Sequence, residues 1–297
     1  IQHFLTSRQA RDIAIKHLFV EYKYWVEREK PFNGAEEELA TLAKQGADYR
    51  RLVVSNPADP LGPLARFLDL FDVSTAFPPM LALLYAGADN AELGEIAKIL
   101  ESYLLRRAVC GWETKAYNRI FMGLTRTIHR DGATANVVRT HLQGLKSSTD
   151  AWPTDEQFSD AWMSIHAYAV LNNPKLVHIF SRLNERYQTA RTERITIHGS
   201  LTVEHLMPQK WCRNWPLPDG SQGVEDIWNL PPEDPRHGLI QARNAALQTF
   251  GNLTLITGSL NSSNSNSAWP EKRAAIESNS VLPINLPLRT MPTWDEE

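Results

Sequence analysis

A chain of 297 residues is long enough for one large or two moderate domains with real hydrophobic cores. Its 42% hydrophobic and 22% charged content is that of an ordinary globular protein, and a net charge of −3 excludes global basicity, so any phosphate-binding surface must be local. Cys110 and Cys212 form no CxxC pair, which removes a thiolate zinc site, gives no reason to propose a disulfide framework and points to a reducing, cytoplasmic setting.

The longest apolar run, Phe77 to Ala88, is broken by Pro78 and Pro79. It falls short of the roughly 20 residues a membrane span needs. The chain opens on Ile1 with no signal-like segment and is expected to be a fragment of a longer protein.

Apolar spacings of three and four predict helices from residue 3 to about residue 190. Residues 4–30 read as one long amphipathic helix stopped before Pro31, and residues 34–54 as a second, acidic at its start and basic at its end. The Pro- and Gly-rich run 56–63 is a loop. Shorter helices are expected at 64–71, 74–87, 90–108, 114–130 and 133–146, then, after a loop at 147–153, at 154–163 and 174–190.

The texture changes near residue 190. Residues 194–197 and 201–203 are short β-prone pieces around a Gly199-Ser200 turn, and 213–237 reads as a long ordered loop. A helix at 239–250 leads through Gly251-Asn252 to a strand at 253–257, a Ser/Asn-rich polar turn at 261–267, and a helix at 270–277 opened by Pro270. The expected fold is mainly α: a helical domain over 1–192 and a small α+β domain over 193–297.

Within the second domain, Val203-Glu204-His205 places a carboxylate beside an imidazole, on opposite faces of an ideal strand. Hydrolysis of a phosphodiester needs a base, a cation to offset charge on phosphate, and a group that fixes the base's tautomer. His205 suits the base, Glu204 a metal ligand, Asn252 the orienting acceptor and Asn261 a second oxygen ligand; Lys272 is placed to hold a DNA phosphate.

Val203-Glu204-His205-Leu206-Met207-Pro208-Gln209, Gly251-Asn252-Leu253-Thr254-Leu255, Leu260-Asn261, Ser265-Asn266 and Lys272 together resemble the HNH-type nuclease domain at the C-terminus of GmrSD-family restriction enzymes. The resemblance implies a ββα-metal (His-Me finger) unit, an acid-His pair ending the first strand, and a metal-binding Asn about nine residues after the middle Asn. The run Ile99 to Gly111, with Tyr117-Asn118 and Phe121, resembles the helical segment preceding that motif, so the likeness covers about residues 95–287.

It also implies an endonuclease that nicks or cuts DNA in bacterial anti-phage defence. Control would come from an N-terminal ParB-like nucleotide-hydrolysing, modification-sensing domain whose Asp-Gly-Gln-Gln-Arg motif this sequence lacks. The phosphorothioate-dependent Ssp type pairs the same two modules. Met207 and Glu204 depart from the β-branched residue and Asp of many relatives.

Oxygen ligands and the lack of a thiolate point to Mg²⁺ or Mn²⁺, while a single imidazole argues against zinc. His198 is a weak second ligand, and Asn266 ranks next to Asn261, ahead of Asn264. His237 with Glu225, Asp226, Glu233 and Asp234 reads as loop solvation, and Trp211, Trp215, Trp228 and Trp269 as core anchors rather than base-stacking platforms.

Arg106, Arg107, Lys115, Arg119, Arg126 and Arg130 form a basic stretch, with Arg119, Arg126 and Arg130 on one helical face. Arg119 and Arg126 are expected DNA-phosphate contacts; an ordinary solvated face is the alternative. The leading function is a metal-dependent DNA endonuclease, and the alternative a non-catalytic DNA- or partner-binding regulatory module with a vestigial site. No nucleophile elbow supports a metal-independent hydrolase.

Overall fold

The computed structural model describes residues 1–188, 197, 199–264 and 266–296. Most of the β-prone piece at 194–197, together with His198 and Ser265, lies outside the described residues. The fold is mainly α and divides into two compact units, Ile1–Thr154 and Asp155–Glu297.

The first unit holds α1 (Gln2–Gln9), α2 (Leu18–Tyr24), α3 (Ala35–Val53), α4 (Gly62–Phe71), α5 (Phe77–Tyr85), α6 (Asn90–Val109), α7 (Tyr117–Asp131) and α8 (Ala135–Gly144). Local signals set the ends: Asp89 caps α6 through Glu92 N at 2.9 Å, and Thr134 caps α8 through Val137 N at 3.3 Å. Leu64, Phe67, Met80, Ile96, Leu100 and Phe121 form part of the buried interior.

The single helix expected over 4–30 is replaced by α1, a bend and α2. Ala10 takes the left-handed conformation (φ 50°) and ends α1. The bend has a packing cause, because Phe4, Leu5, Ile13 and Trp25 share one buried cluster that a straight helix would spread along its length.

The second unit holds α9 (Asp155–Ser164), α10 (Ala167–Val170), α11 (Asn173–Arg186), β1 (Leu201–His205), α12 (Arg236–Leu247), β2 (Leu253–Thr257), α13 (Gly258–Asn264) and α14 (Trp269–Asn279). α9, α10 and α11, expected with the helical domain, fall in the second unit, where α11 packs on both strands. β1 and β2 pair antiparallel, with Glu204 opposite Thr254 and His205 opposite Leu253.

The polar turn expected at 261–267 is helical through Asn264. Leu260 anchors α13 in the interior and Ser262 Oγ donates to Gly258 O at 3.0 Å, so this serine finds its partner within the helix. Trp211, Trp215 and Trp269 are buried with Leu217, Ile240 and Ile276, as core anchors should be. Trp228 departs from that expectation: it is 88% exposed.

Candidate active site at the end of the first strand

The acid and the imidazole are the last two residues of β1. Val203 and Glu204 are both buried although they point to opposite faces, so the strand is covered on each side there. A buried carboxylate needs a partner. Lys272, only 1% exposed in the first turns of α14, supplies it: Nζ donates to Glu204 Oε1 at 2.6 Å and to the His205 carbonyl at 2.7 Å. Burial pushes the Glu204 carboxyl up and the Lys272 ammonium down, and the contact between them opposes both shifts.

The His205 ring is half-buried. Its Nε2 lies 3.1 Å from Gln248 Oε1, with the Gln209 amide nitrogen at 3.5 Å, and its face stacks on Tyr168 at 5.6 Å and 17°. Burial lowers its pKa, the Gln248 contact opposes that, and the neighbouring Lys272 ammonium lowers it further. The imidazole is therefore biased toward its neutral, proton-accepting form.

Asn252 is buried, and its four hydrogen bonds go elsewhere than the imidazole. Oδ1 accepts from Met207 N at 2.8 Å and Trp294 Nε1 at 3.0 Å; Nδ2 donates to Met207 O at 2.8 Å and Leu247 O at 2.9 Å. It ties the turn after β1 to the end of α12. The contact to the ring that the sequence assigned to Asn252 is made by Gln248.

Asn261 Nδ2 donates to the backbone oxygen of Val203, the residue before Glu204, at 3.4 Å. Asn266 is exposed and uses its backbone oxygen to accept from Asn214 at 2.8 Å. The side chain of Asn264 lies outside the described residues. Among the described residues no three His, Cys, Asp or Glu side chains gather.

The loop groups close their own loop: His237 Nε2 contacts Pro231 O at 2.8 Å, Asp226 accepts from Trp228 N at 3.0 Å, and Arg236 binds Asp234 at 2.8 Å.

In the first unit the basic stretch is largely engaged. Arg107 is fully buried among Tyr103, Trp112 and Tyr117 and donates to the carbonyls of Glu113, Thr149 and Ala151. Arg119, 63% exposed at its side chain, pairs with the buried Asp150 at 2.9 Å, and Arg126 donates to Ala10 O at 3.0 Å. Arg130 pairs with Asp131 and Lys115 with Glu113.

Glu204 and His205 were legible as neighbours on a β-branched run. Gln248 and Tyr168 were missed. A glutamine ending an amphipathic helix and a tyrosine in a short helical turn carry no motif, and only the folded chain brings them to the ring.

Residues 152–297 match the family described as GmrSD restriction endonucleases, C-terminal domain. The match starts close to Asp155, where the second compact unit begins. The upstream likeness over residues 95–151 lies outside it. No curated protein and no solved structure matches the chain.

Proposed function

Because residues 152–297 match the family of GmrSD restriction endonuclease C-terminal domains, we propose that this chain hydrolyses DNA phosphodiester bonds at His205, in an HNH-type site. The observation that carries the reading is the half-buried, neutral-leaning imidazole at the end of β1, directly beside the buried Glu204 carboxylate.

In the proposed reaction His205 takes a proton from water. The resulting hydroxide attacks phosphorus in line, the P–O bond to the leaving oxygen breaks, and that oxygen acquires a proton from solvent. Asn252 holds the turn after β1, so that the ring stands on a fixed backbone. Lys272, placed by sequence at a phosphate, fits better as the cation that keeps the Glu204 carboxylate and the His205 carbonyl in place.

A hard divalent cation, Mg²⁺ or Mn²⁺, would be held by oxygen donors, the Glu204 carboxylate and the amide oxygen of Asn261, with Asn266 a secondary candidate. Bound there, such an ion supplies charge neutralisation for the phosphate and the leaving oxygen. In the setting the resemblance implies, the enzyme acts in anti-phage restriction under a nucleotide-hydrolysing, modification-sensing module.

One observation favours a second reading, a non-catalytic DNA- or partner-binding module: the Lys272 ammonium already satisfies Glu204 without a metal. Two measurements separate the readings. A nuclease nicks supercoiled plasmid when Mg²⁺ or Mn²⁺ is added and is thermally stabilised by Mn²⁺ in a way that Glu204→Ala abolishes. A binding module shows neither.

A further inference from the structure

The His205 ring has two nitrogens, and only one of them can take a proton from water in the neutral state. Gln248 Oε1 lies 3.1 Å from Nε2, closer than the Gln209 amide nitrogen at 3.5 Å. A carboxamide oxygen is an acceptor only, so this contact is a hydrogen bond when Nε2 carries the ring proton. The lone pair then sits on Nδ1, which has no partner among the described residues.

Gln248 is itself held. It follows the last residue of α12, and its backbone oxygen accepts from Ala167 N, in the first turn of α10, at 2.8 Å. The next residue of that turn is Tyr168, whose ring lies nearly parallel to the imidazole. One short helical turn thus fixes the backbone of the residue touching the ring's edge and supplies the aromatic surface covering the ring's face.

We propose that Gln248 is the positioning residue that sets the tautomer of His205, holding the proton on Nε2 and presenting Nδ1 as the base, with Tyr168 fixing the ring plane. This rests on the nuclease reading for its purpose and on ring geometry alone for its content. For histidines bound to a metal, a partner on the far nitrogen that fixes tautomer and orientation is worth roughly 10- to 100-fold when removed, and a loss of that order is expected here.

The test is ¹⁵N NMR of the imidazole nitrogens in the full chain, with the His205 signals identified by their loss in His205→Gln. With the ring neutral, the expected wild-type spectrum has a protonated Nε2 and an unprotonated Nδ1. Gln248→Leu is expected to give a mixture of tautomers and to lower plasmid nicking roughly 10- to 100-fold. Gln248→Glu, which keeps an acceptor at the same place, is expected to restore the single tautomer.

A wild-type ring protonated on Nδ1 overturns the proposal, as does a Gln248→Leu ring with an unchanged tautomer. If Gln248→Leu does not fold, the wild-type and Gln248→Glu spectra decide it, with a mixed tautomer in either counting against. The spectra stand apart from activity: the expected tautomer without any plasmid cleavage removes the nuclease reading and leaves this one, and cleavage with Nδ1 protonated does the reverse.

Discussion

The Lys272 ammonium lies 2.6 Å from Glu204 Oε1, and both side chains are buried. A lysine that is 1% exposed cannot also reach a DNA phosphate from this position. Removing it leaves an uncompensated carboxylate in the interior, which costs about 3–5 kcal/mol. Lys272→Met should therefore lower the urea midpoint sharply, and adding Glu204→Gln should recover part of the loss. A Lys272→Met protein as stable as wild type but weaker in DNA binding would return the residue to a phosphate contact.

Asn252 and Gln248 are expected to separate cleanly. Asn252→Ala leaves the Met207 backbone groups unpaired, at about 1–3 kcal/mol for each buried group. Its melting temperature should fall, while the His205 ring nitrogens keep the wild-type pattern because Gln248 is untouched. A change of tautomer in Asn252→Ala would give the orienting role back to Asn252.

Arg119 and Arg126 differ in what they hold. Arg119→Ala strips the buried Asp150 of its cation and should destabilise the protein measurably in thermal denaturation. Arg126 gives up only a bond to the Ala10 carbonyl, so its guanidinium is the freer of the two for phosphate. Arg126→Ala should reduce the salt slope of DNA binding by about 0.9, the value for one phosphate contact. An unchanged slope assigns Arg126 to the solvated face.

His141 gives the first unit an acid-side sensitivity. Its Nδ1 is 2.9 Å from Thr127 Oγ1, and burial holds its folded-state pKa below the ordinary value of 6.5. Above that value both folded and unfolded states carry a neutral ring. As pH falls through 6.5 the unfolded chain takes up the proton first, so stability is lost between 6.5 and the lower folded-state pKa. Urea midpoints measured across this window should fall less in His141→Gln than in wild type.

The acid-His pair stood out in the sequence because two chemically distinct groups ended one short β-branched run, and β2 was legible from the Gly251-Asn252 turn and the run after it. The bend at Ala10 was hidden, since residues 4–30 favour a helix locally and only the shared burial of Ile13 with Phe4 and Trp25 breaks it. α13 was hidden for the opposite reason: its Ser and Asn residues read as a turn, while Leu260 docks it. The partners of His205 and Glu204 come from α10, the end of α12 and α14. Such contacts are made by tertiary closure, and no spacing along the chain announces them.

The central claim is tested most directly by incubating supercoiled plasmid with the full chain and Mg²⁺ or Mn²⁺, alongside His205→Ala of matched melting temperature. Loss of a general base costs typically 10²- to 10⁴-fold. Wild type is expected to convert the plasmid to open-circular or linear form, with His205→Ala at least ~100-fold slower. Cleavage by His205→Ala at the wild-type rate, or none by wild type with either metal, would contradict His205 as the base of a nuclease.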